Sequence, residues 1–479
     1  MLARALKTVK DVADWRLCSG CGACSYACPN DAVSLLHIDS VGIRPKVNAS
    51  ACQSCGECLE ICPGYRLDGN LVPNGQVKNT GADHEFGPVL EIWEGYAADP
   101  EIRHKGSSGG ILTALATYCI EAGGMKSVLH TGMDEERPWL NKSCLSKTRM
   151  EILSRAGSRY SPASPCEKLA SIKKGDTPFV FVGKPCDVAA VTMLCRKDPG
   201  LSRGVGLALS LFCAGTPSTQ GTLGLLESLG VPANTVDSLH YRGEGWPGEF
   251  RVLHGGGTDP RTVPYLLSWG QLSRYRPLRC HLCPDGLGLF ADISSGDAWH
   301  GFKDNGDPGR SIVVVWTERG REILHRAKDA GYVNLAQIEP STLLVAQPGL
   351  LNRRRQLFGR LLGMALLLLP IPRYNGLSLF KSWARLPVIE RARTVVGTLT
   401  RVIQRGLWRR GHLPITDGTP RRPISTPLKG AADRFPLFKG GHNDKDDLRN
   451  TVPSQRIESR GNNIQPVAGV ILPENERHG

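Results

Sequence analysis

Between residues 86 and 350, short apolar runs bounded by Gly and Pro alternate with stretches of helical period. Pro178–Gly183 (PFVFVG), Val205–Cys213 (VGLALSLFC) and Ile312–Trp316 (IVVVW) are apolar at nearly every position. That is the pattern of strands buried on both faces. Ile111–Ala122 (ILTALATYCIEA) instead repeats its apolar residues at helical spacing. Strands alternating with helices predict an α/β core. The pattern changes on either side. Residues 1–85 carry a repeated cysteine spacing, and 351–410 set apolar stretches among arginines in a helix-prone context. Over 411–479 Pro, Gly, Asn and charge follow one another without period, which predicts a disordered tail.

With 479 residues and 41% hydrophobic side chains, the chain can bury a sizeable core, which excludes wholesale disorder. Its net charge of +14 suggests nucleic acid until the charge is located. Residues 1–349 hold 36 basic and 36 acidic side chains, 350–410 hold 13 against the lone Glu390, and 411–479 hold 10 against 8. With 6% aromatics and no reader motif, nucleic-acid binding is excluded. A basic amphipathic helix suits an anionic membrane surface or an acidic partner, and equally a solvated face closing the core. Peripheral membrane contact through 351–410 is therefore one expectation. The longest apolar run, Leu361–Pro370, is too short for a membrane span and reads as a packed helix or an interfacial segment. Met1–Trp15 lacks the continuous apolar region of a secretory signal, so a cytoplasmic location with reduced thiols is expected.

Eight of the sixteen cysteines lie between Cys18 and Cys62. Cys18-x2-Cys21-x2-Cys24-x3-Cys28-Pro29 recurs as Cys52-x2-Cys55-x2-Cys58-x3-Cys62-Pro63. This is the bacterial C-x2-C-x2-C-x3-C-P run of 4Fe–4S clusters, in which the fourth cysteine serves the other cluster. The expected sets are Cys18, Cys21, Cys24 and Cys62, then Cys52, Cys55, Cys58 and Cys28. Gly22 and Gly56 supply the backbone freedom for the loop to turn its amides toward sulfur. Paired structural zinc sites are the rival reading, but they use separated cysteine pairs. The segment resembles a bacterial-type two-cluster ferredoxin domain.

Cys186, Cys213 and Cys280-x2-Cys283 fall where strands are predicted to end. On spacing alone, the last pair suits a redox couple or half a zinc site, and the two single cysteines suit plain burial. A wider pattern adds meaning. Lys105–Gly110 (KGSSGG), Arg159–Pro162 (RYSP), Val182–Asp187 (VGKPCD), Leu211–Cys213 (LFC), Cys280–Cys283 (CHLC) and Ala291–Asp297 (ADISSGD) occur in this order. Together they resemble the coenzyme F420 hydrogenase/dehydrogenase beta-subunit family over roughly residues 90–345. The resemblance implies an iron–sulfur flavoprotein binding FAD beside a third 4Fe–4S cluster, with Cys186, Cys213, Cys280 and Cys283 as its ligands. Cys119, Cys144, Cys166 and Cys195 match no family motif and read as buried thiols.

Gly106, Ser107, Ser108, Gly109 and Gly110 run directly into a predicted helix, where free amides attract anions. The resemblance places a flavin contact there, and a cofactor-side loop at Arg159, Tyr160, Ser161 and Pro162. Gly183 and Lys184 follow a buried strand, where open α/β sheets bind ligands. Lys184 reads either as a stabiliser of negative charge on flavin or as a solvated lysine; the family often has a smaller hydroxyl residue here. Asp292, Ser294, Gly296 and Asp297 read as cofactor-facing polar groups or as a plain turn. His281 and His300 are weak acid candidates, and no catalytic acid is assigned.

The expected fold is thus a multi-domain chain of α+β and α/β type. It comprises a ferredoxin-like two-cluster domain over 1–85, an α/β flavin- and cluster-binding core over 86–350, a basic helical segment over 351–410 and a disordered tail over 411–479. The expected function is an oxidoreductase passing electrons between 4Fe–4S clusters and FAD, coupled to coenzyme F420 or another organic substrate. Its rival is an electron-transfer subunit without a substrate of its own. Either requires a redox partner, a ferredoxin or a hydrogenase or dehydrogenase subunit.

Overall fold

The predicted α/β pattern forms an eight-stranded mixed sheet in the computed structural model, which describes residues 6–72, 83–302 and 306–411. The tail expected over 411–479 therefore lies, except for Gly411, outside the described residues. Ile293–Asp297, Val205–Leu211, Phe179–Gly183 and Ser127–Met133 pair parallel at the centre of the sheet. Asn141–Ser146 closes one edge antiparallel. Ser311–Val315, Glu91–Ala97 and Val333–Gln337 extend the other edge, also antiparallel.

The three apolar runs become strands because both of their faces are covered. Val180, Leu207, Leu209 and Val313 face one way and join Ile111, Leu115 and Tyr118 of the Ile111–Glu121 helix. Phe179, Phe181, Ala208, Ile312 and Val314 face the other way, under the Pro185–Lys197 helix. Side chains alternate across a strand, so an uninterrupted apolar run is stable only between two layers. Each such buried side chain contributes about 1.5–3 kcal/mol.

The cysteine-rich segment and the basic segment share the second of these cores; neither builds one of its own. Val9, Val12, Leu17 and Ile61 lie in one cluster with Phe181, Trp316, Leu357 and Met364. The Pro348–Leu366 helix packs on the Val388–Gln404 helix where Gly359 meets Thr394 and Gly363 meets Thr398. Arg373–Asn375 adds a parallel strand to Arg66–Asp68. Arg410 pairs with Asp11 and Asp14 of the first helix.

Several arginines read from sequence as an outward basic face turn inward instead. Arg353 donates to the Cys213 carbonyl, Arg354 to Pro284 and Leu377, and Arg360 to His281, while Arg355 pairs with Glu85. The segment is a clasp over the cysteine-bearing loops, and only its later arginines remain for an outside surface. Leu361–Leu366 closes the first of its two long helices. Among the described residues, no helix is long and apolar enough to cross a membrane.

Candidate functional site

The two cysteine runs curl because Gly22 and Gly56, at φ of 85° and 84°, take the left-handed turn that starts each short helix. Backbone amides then point at sulfur: Gly20 N to Cys18 Sγ at 3.3 Å, and Ala32 N to Cys28 Sγ at 3.2 Å. Cys28, Cys52, Cys55 and Cys58 line one small cavity, and Cys18, Cys21, Cys24 and Cys62 line the next. Burial, reinforced by Cys21, Cys18, Cys62 and Cys58, pushes the Cys24 thiol well above its usual range. Cys24 therefore ionises only against a bound cation, whereas a hydrogen bond from Cys166 holds its neighbour Cys21 below the usual thiol range. Among the described residues, no three His, Cys, Asp or Glu side chains are grouped to hold a single metal ion. A cubane spreads its thiolates wider than the roughly 2.3 Å bonds of one zinc permit.

A third cavity brings Cys186, Cys213, Cys280 and Cys283 together from four places in the sequence. Cys186 opens the Pro185–Lys197 helix, Cys213 follows the Val205–Leu211 strand, and Cys280 sits on a short helix with Cys283 just beyond it. Thr216 N points at Cys280 Sγ, 3.4 Å away. Cys18, Ser19 and Gly20 line this cavity too, so it shares a wall with the preceding one.

Arg279 lines the third cavity and reaches the loop after Cys62, within range of Cys18, which lines both cavities. It is buried and donates to the carbonyls of Pro63 at 2.8 Å and Leu282 at 3.1 Å. Its Nε has no hydrogen-bond partner, and none of its contacts is a carboxylate. A buried cation needs a countercharge. Anionic iron–sulfur clusters held by the neighbouring cysteines would supply one, so a guanidinium without a carboxylate fits the groups that those cysteines would hold.

The fourth cavity, of about 300 Å³, opens at the C-terminal ends of the parallel strands and shares Lys184, Cys213 and Gly215 with the third. Its size suits a small-molecule site. Gly106, Ser107, Ser108 and Gly110 line it at the start of the Ile111–Glu121 helix, with Tyr160, Ser161, Gly183, Lys184, Gly296 and Asp297. Gly110 takes a left-handed φ of 76° that lets the loop enter the helix. Lys184 is no solvated lysine: it is buried against Asp187 at 2.7 Å and the Ala163 carbonyl at 3.2 Å.

Four of the residues expected at the cofactor face elsewhere. Gly109 packs beside Gly95, and its amide is taken by Ser311 Oγ at 2.8 Å. Pro162 lines the third cysteine cavity. Asp292 precedes its strand, at the sheet end opposite the cleft, and accepts from Ala208 N, Thr317 and Arg319. Ser294 points to the other sheet face and accepts from Trp316 Nε1. His300 pairs with Glu94 at 3.0 Å. Burial and then Arg276, Arg360, Arg353 and Arg401 push His281 down to about 3, which unsuits it as a proton donor. Cys119, Cys144 and Cys166 are buried and Cys195 half-buried, and none lines these cavities.

The cleft also holds residues that sequence reasoning missed. Arg242, fully buried, is gripped by Asp297 at 2.5 and 3.0 Å and lies 4.1 Å from the Tyr265 ring centre. Trp246 Nε1 donates to the same carboxylate at 2.8 Å. Tyr265 and Trp299 stack 7° from parallel, with ring centres 5.9 Å apart. The only local signal was the run of glycines around Trp246-Pro247, which marks a turn and not a site.

Cysteine-lined cavities leading to a cleft in an α/β core define an iron–sulfur electron-transfer protein. Family models make the assignment specific. Residues 92–171 and 176–341 match the N-terminal and C-terminal models of the coenzyme F420 hydrogenase/dehydrogenase beta subunit, and residues 10–63 match a 4Fe–4S dicluster domain. The chain belongs to the coenzyme F420 hydrogenase/dehydrogenase beta-subunit family, with a dicluster domain at its front.

Its relatives include the coenzyme F420 hydrogenase subunit beta of Methanosarcina barkeri, 30% identical over 54% of this chain and 85% of the relative. An uncharacterized protein of Methanocaldococcus jannaschii is 24% identical over 69% of this chain and 92% of its own length. The coenzyme F420-dependent sulfite reductase of the same organism is 22% identical, over 69% of this chain and 49% of that protein. Among solved structures, a chain of the F420-reducing NiFe hydrogenase complex of Methanosarcina barkeri is similar, at 23% identity and a TM-score of 0.46. That match covers 58% of this chain and 94% of the other.

Proposed function

We propose that this chain is an iron–sulfur flavoprotein oxidoreductase that passes electrons between three 4Fe–4S clusters and FAD, coupled to coenzyme F420 or another organic substrate. The observation that carries the reading is the shared walls. Cys18 lines both the second and third cysteine cavities, and Cys213 lines both the third cavity and the cleft. Bound FAD would supply the junction between one-electron exchange with clusters and two-electron exchange with the substrate.

The residues of the chain do the positioning. Gly106–Gly110 and the helix start behind them offer amides to a pyrophosphate. Arg155, Arg159 and Arg242 line the same cleft with positive charge. Lys184, held by Asp187, sits where the cleft meets the third cysteine cavity. Arg242, fixed by Asp297 under the Tyr265 and Trp299 rings, gives the cleft a flat aromatic wall that suits a planar substrate.

A subunit that only carries electrons has no need of an open aromatic wall beside its flavin, so the stacked Tyr265 and Trp299 favour the enzyme reading. The relatives named as hydrogenase subunits suggest a protein redox partner for this chain too. Anaerobic purification followed by iron, sulfide and flavin analysis tests the proposal. About twelve iron atoms per chain together with FAD are expected. About eight would sink the third cluster, and absence of flavin would sink the oxidoreductase.

A further inference from the structure

Eight of the fourteen exposed large apolar side chains of the described residues fall within 366–408, a segment that also carries the excess basic charge. The Val388–Gln404 helix shows how they are arranged. Val388, Ile389, Ala392, Val396, Leu399 and Ile403 fall within an arc of about 100° on a regular helix. The residues it buries against the neighbouring helix are Thr394, Thr398 and Val402. Their centre lies roughly 130° round the helix from that arc. The helix thus packs through a largely polar face and leaves its apolar stripe in solvent: Val388 is 71% exposed, Ile389 61%, Val396 58% and Ile403 59%. An amphipathic helix in a globular protein does the reverse.

The charge around the stripe says what would cover it. Arg393 borders it, and Arg405 and Arg409 are exposed in the turn after the helix with exposed Trp408 between them, whereas Arg401, about 170° round the helix from the stripe, turns toward Arg360 and His281. No carboxylate among the described residues pairs with Arg393, Arg401 or Arg405. Glu390 is the only acidic side chain in 350–410. A second copy docking through this face would set arginine against arginine, which is repulsive. An anionic lipid surface satisfies both features together, taking the apolar stripe into the acyl boundary and the guanidinium groups at the headgroups. We infer that the Val388–Gln404 helix seats this protein on anionic membrane surfaces, as an interfacial helix and not a span.

The test is co-sedimentation of the full chain with vesicles of phosphatidylcholine alone or with an equimolar share of phosphatidylglycerol. Binding to the anionic vesicles only, weakening with salt, is expected. The double variant Val396→Glu/Ile403→Glu should abolish it; both side chains are exposed, so the core is untouched, and unchanged iron content would verify the fold. Replacing Arg393, Arg405 and Arg409 by Gln should weaken binding about fivefold for each arginine. Equal binding to neutral vesicles, or full binding by the double variant, overturns the inference. So does a dimer in light scattering that the same glutamates dissolve, which would assign the stripe to a second copy. The readout is protein in the pellet, so failure here leaves the redox proposal standing.

Discussion

Arg279, one residue before Cys280, donates to the carbonyl of Pro63, one residue after Cys62, at 2.8 Å across 216 residues of sequence. The bond ties the loop that ends the second cysteine run to the loop carrying the Cys280–Cys283 pair. It also buries a positive charge in the wall of the third thiol-lined cavity, within range of Cys18, which lines the second as well.

That charge should favour electrons in either cluster. Arg279→Gln keeps a hydrogen-bond donor and removes the cation, so the potentials of the two flanking clusters should shift to more negative values. Arg279→Lys should restore part of the shift. Redox titration followed by electron paramagnetic resonance reads both, with iron content as the control. Unchanged potentials at full iron content would mean that Arg279 only holds the loops together.

Cys213 is the residue through which the third cysteine cavity meets the cleft. Cys213→Ser should lower iron from about twelve to about eight atoms per chain while the two dicluster signals persist. Cys119→Ser, in a fully buried bystander, should leave iron unchanged. If both variants hold the same iron, Cys213 is not a ligand.

Asp297 neutralises a guanidinium that is fully out of water. Asp297→Ala leaves Arg242 buried without its partner, and breaking such a pair costs about 3–5 kcal/mol. Denaturant unfolding of the purified protein should show that loss. Asp297→Asn, which keeps the contacts but not the charge, should lose less. A loss below about 1 kcal/mol in the alanine variant would show that water reaches Arg242.

His130 lines the cleft, with Nε2 2.8 Å from Ser146 Oγ, which also accepts from Arg155. Burial first, then Arg155, lowers its pKa to about 4 against a weak opposing pull from Glu151. The folded state therefore keeps His130 neutral, whereas the unfolded chain binds a proton below about pH 6.5. Its contribution is complete above that pH and falls as pH drops toward 4, by up to about 3 kcal/mol. His130→Gln should flatten that part of the stability-against-pH curve relative to wild type. Parallel curves for the two proteins would contradict the assignment.

Much of this was legible along the chain because it is local. An apolar run of five to nine residues between Gly and Pro must find two covering layers, and three such runs became strands of the central sheet. A cysteine run spaced by two residues with Gly at the turn encodes its own loop, since the left-handed glycine and the amides aimed at sulfur lie within a few residues. What escaped reading was long-range. Asp292 and Asp297 share one short motif, yet the sheet places one at its closed end and the other in the cleft. Arg242 carried no signal until the fold brought Asp297 beside it.

The basic segment divides in the same way. Its excess of arginine was plain from composition, but composition cannot tell an arginine facing solvent from one donating to a loop carbonyl. Arg353, Arg354 and Arg360 cap the Cys213, Pro284 and His281 carbonyls, whereas Arg393 borders the open stripe and Arg405 stays exposed in the turn after it. By itself, the sequence determined the strands, the cysteine loops and the location of charge, because each depends on neighbours within one turn or one run. Only the tertiary structure decided which cysteines share a cavity, which carboxylate meets which arginine and which helix face stays open, because those depend on groups distant in the chain sharing one buried space.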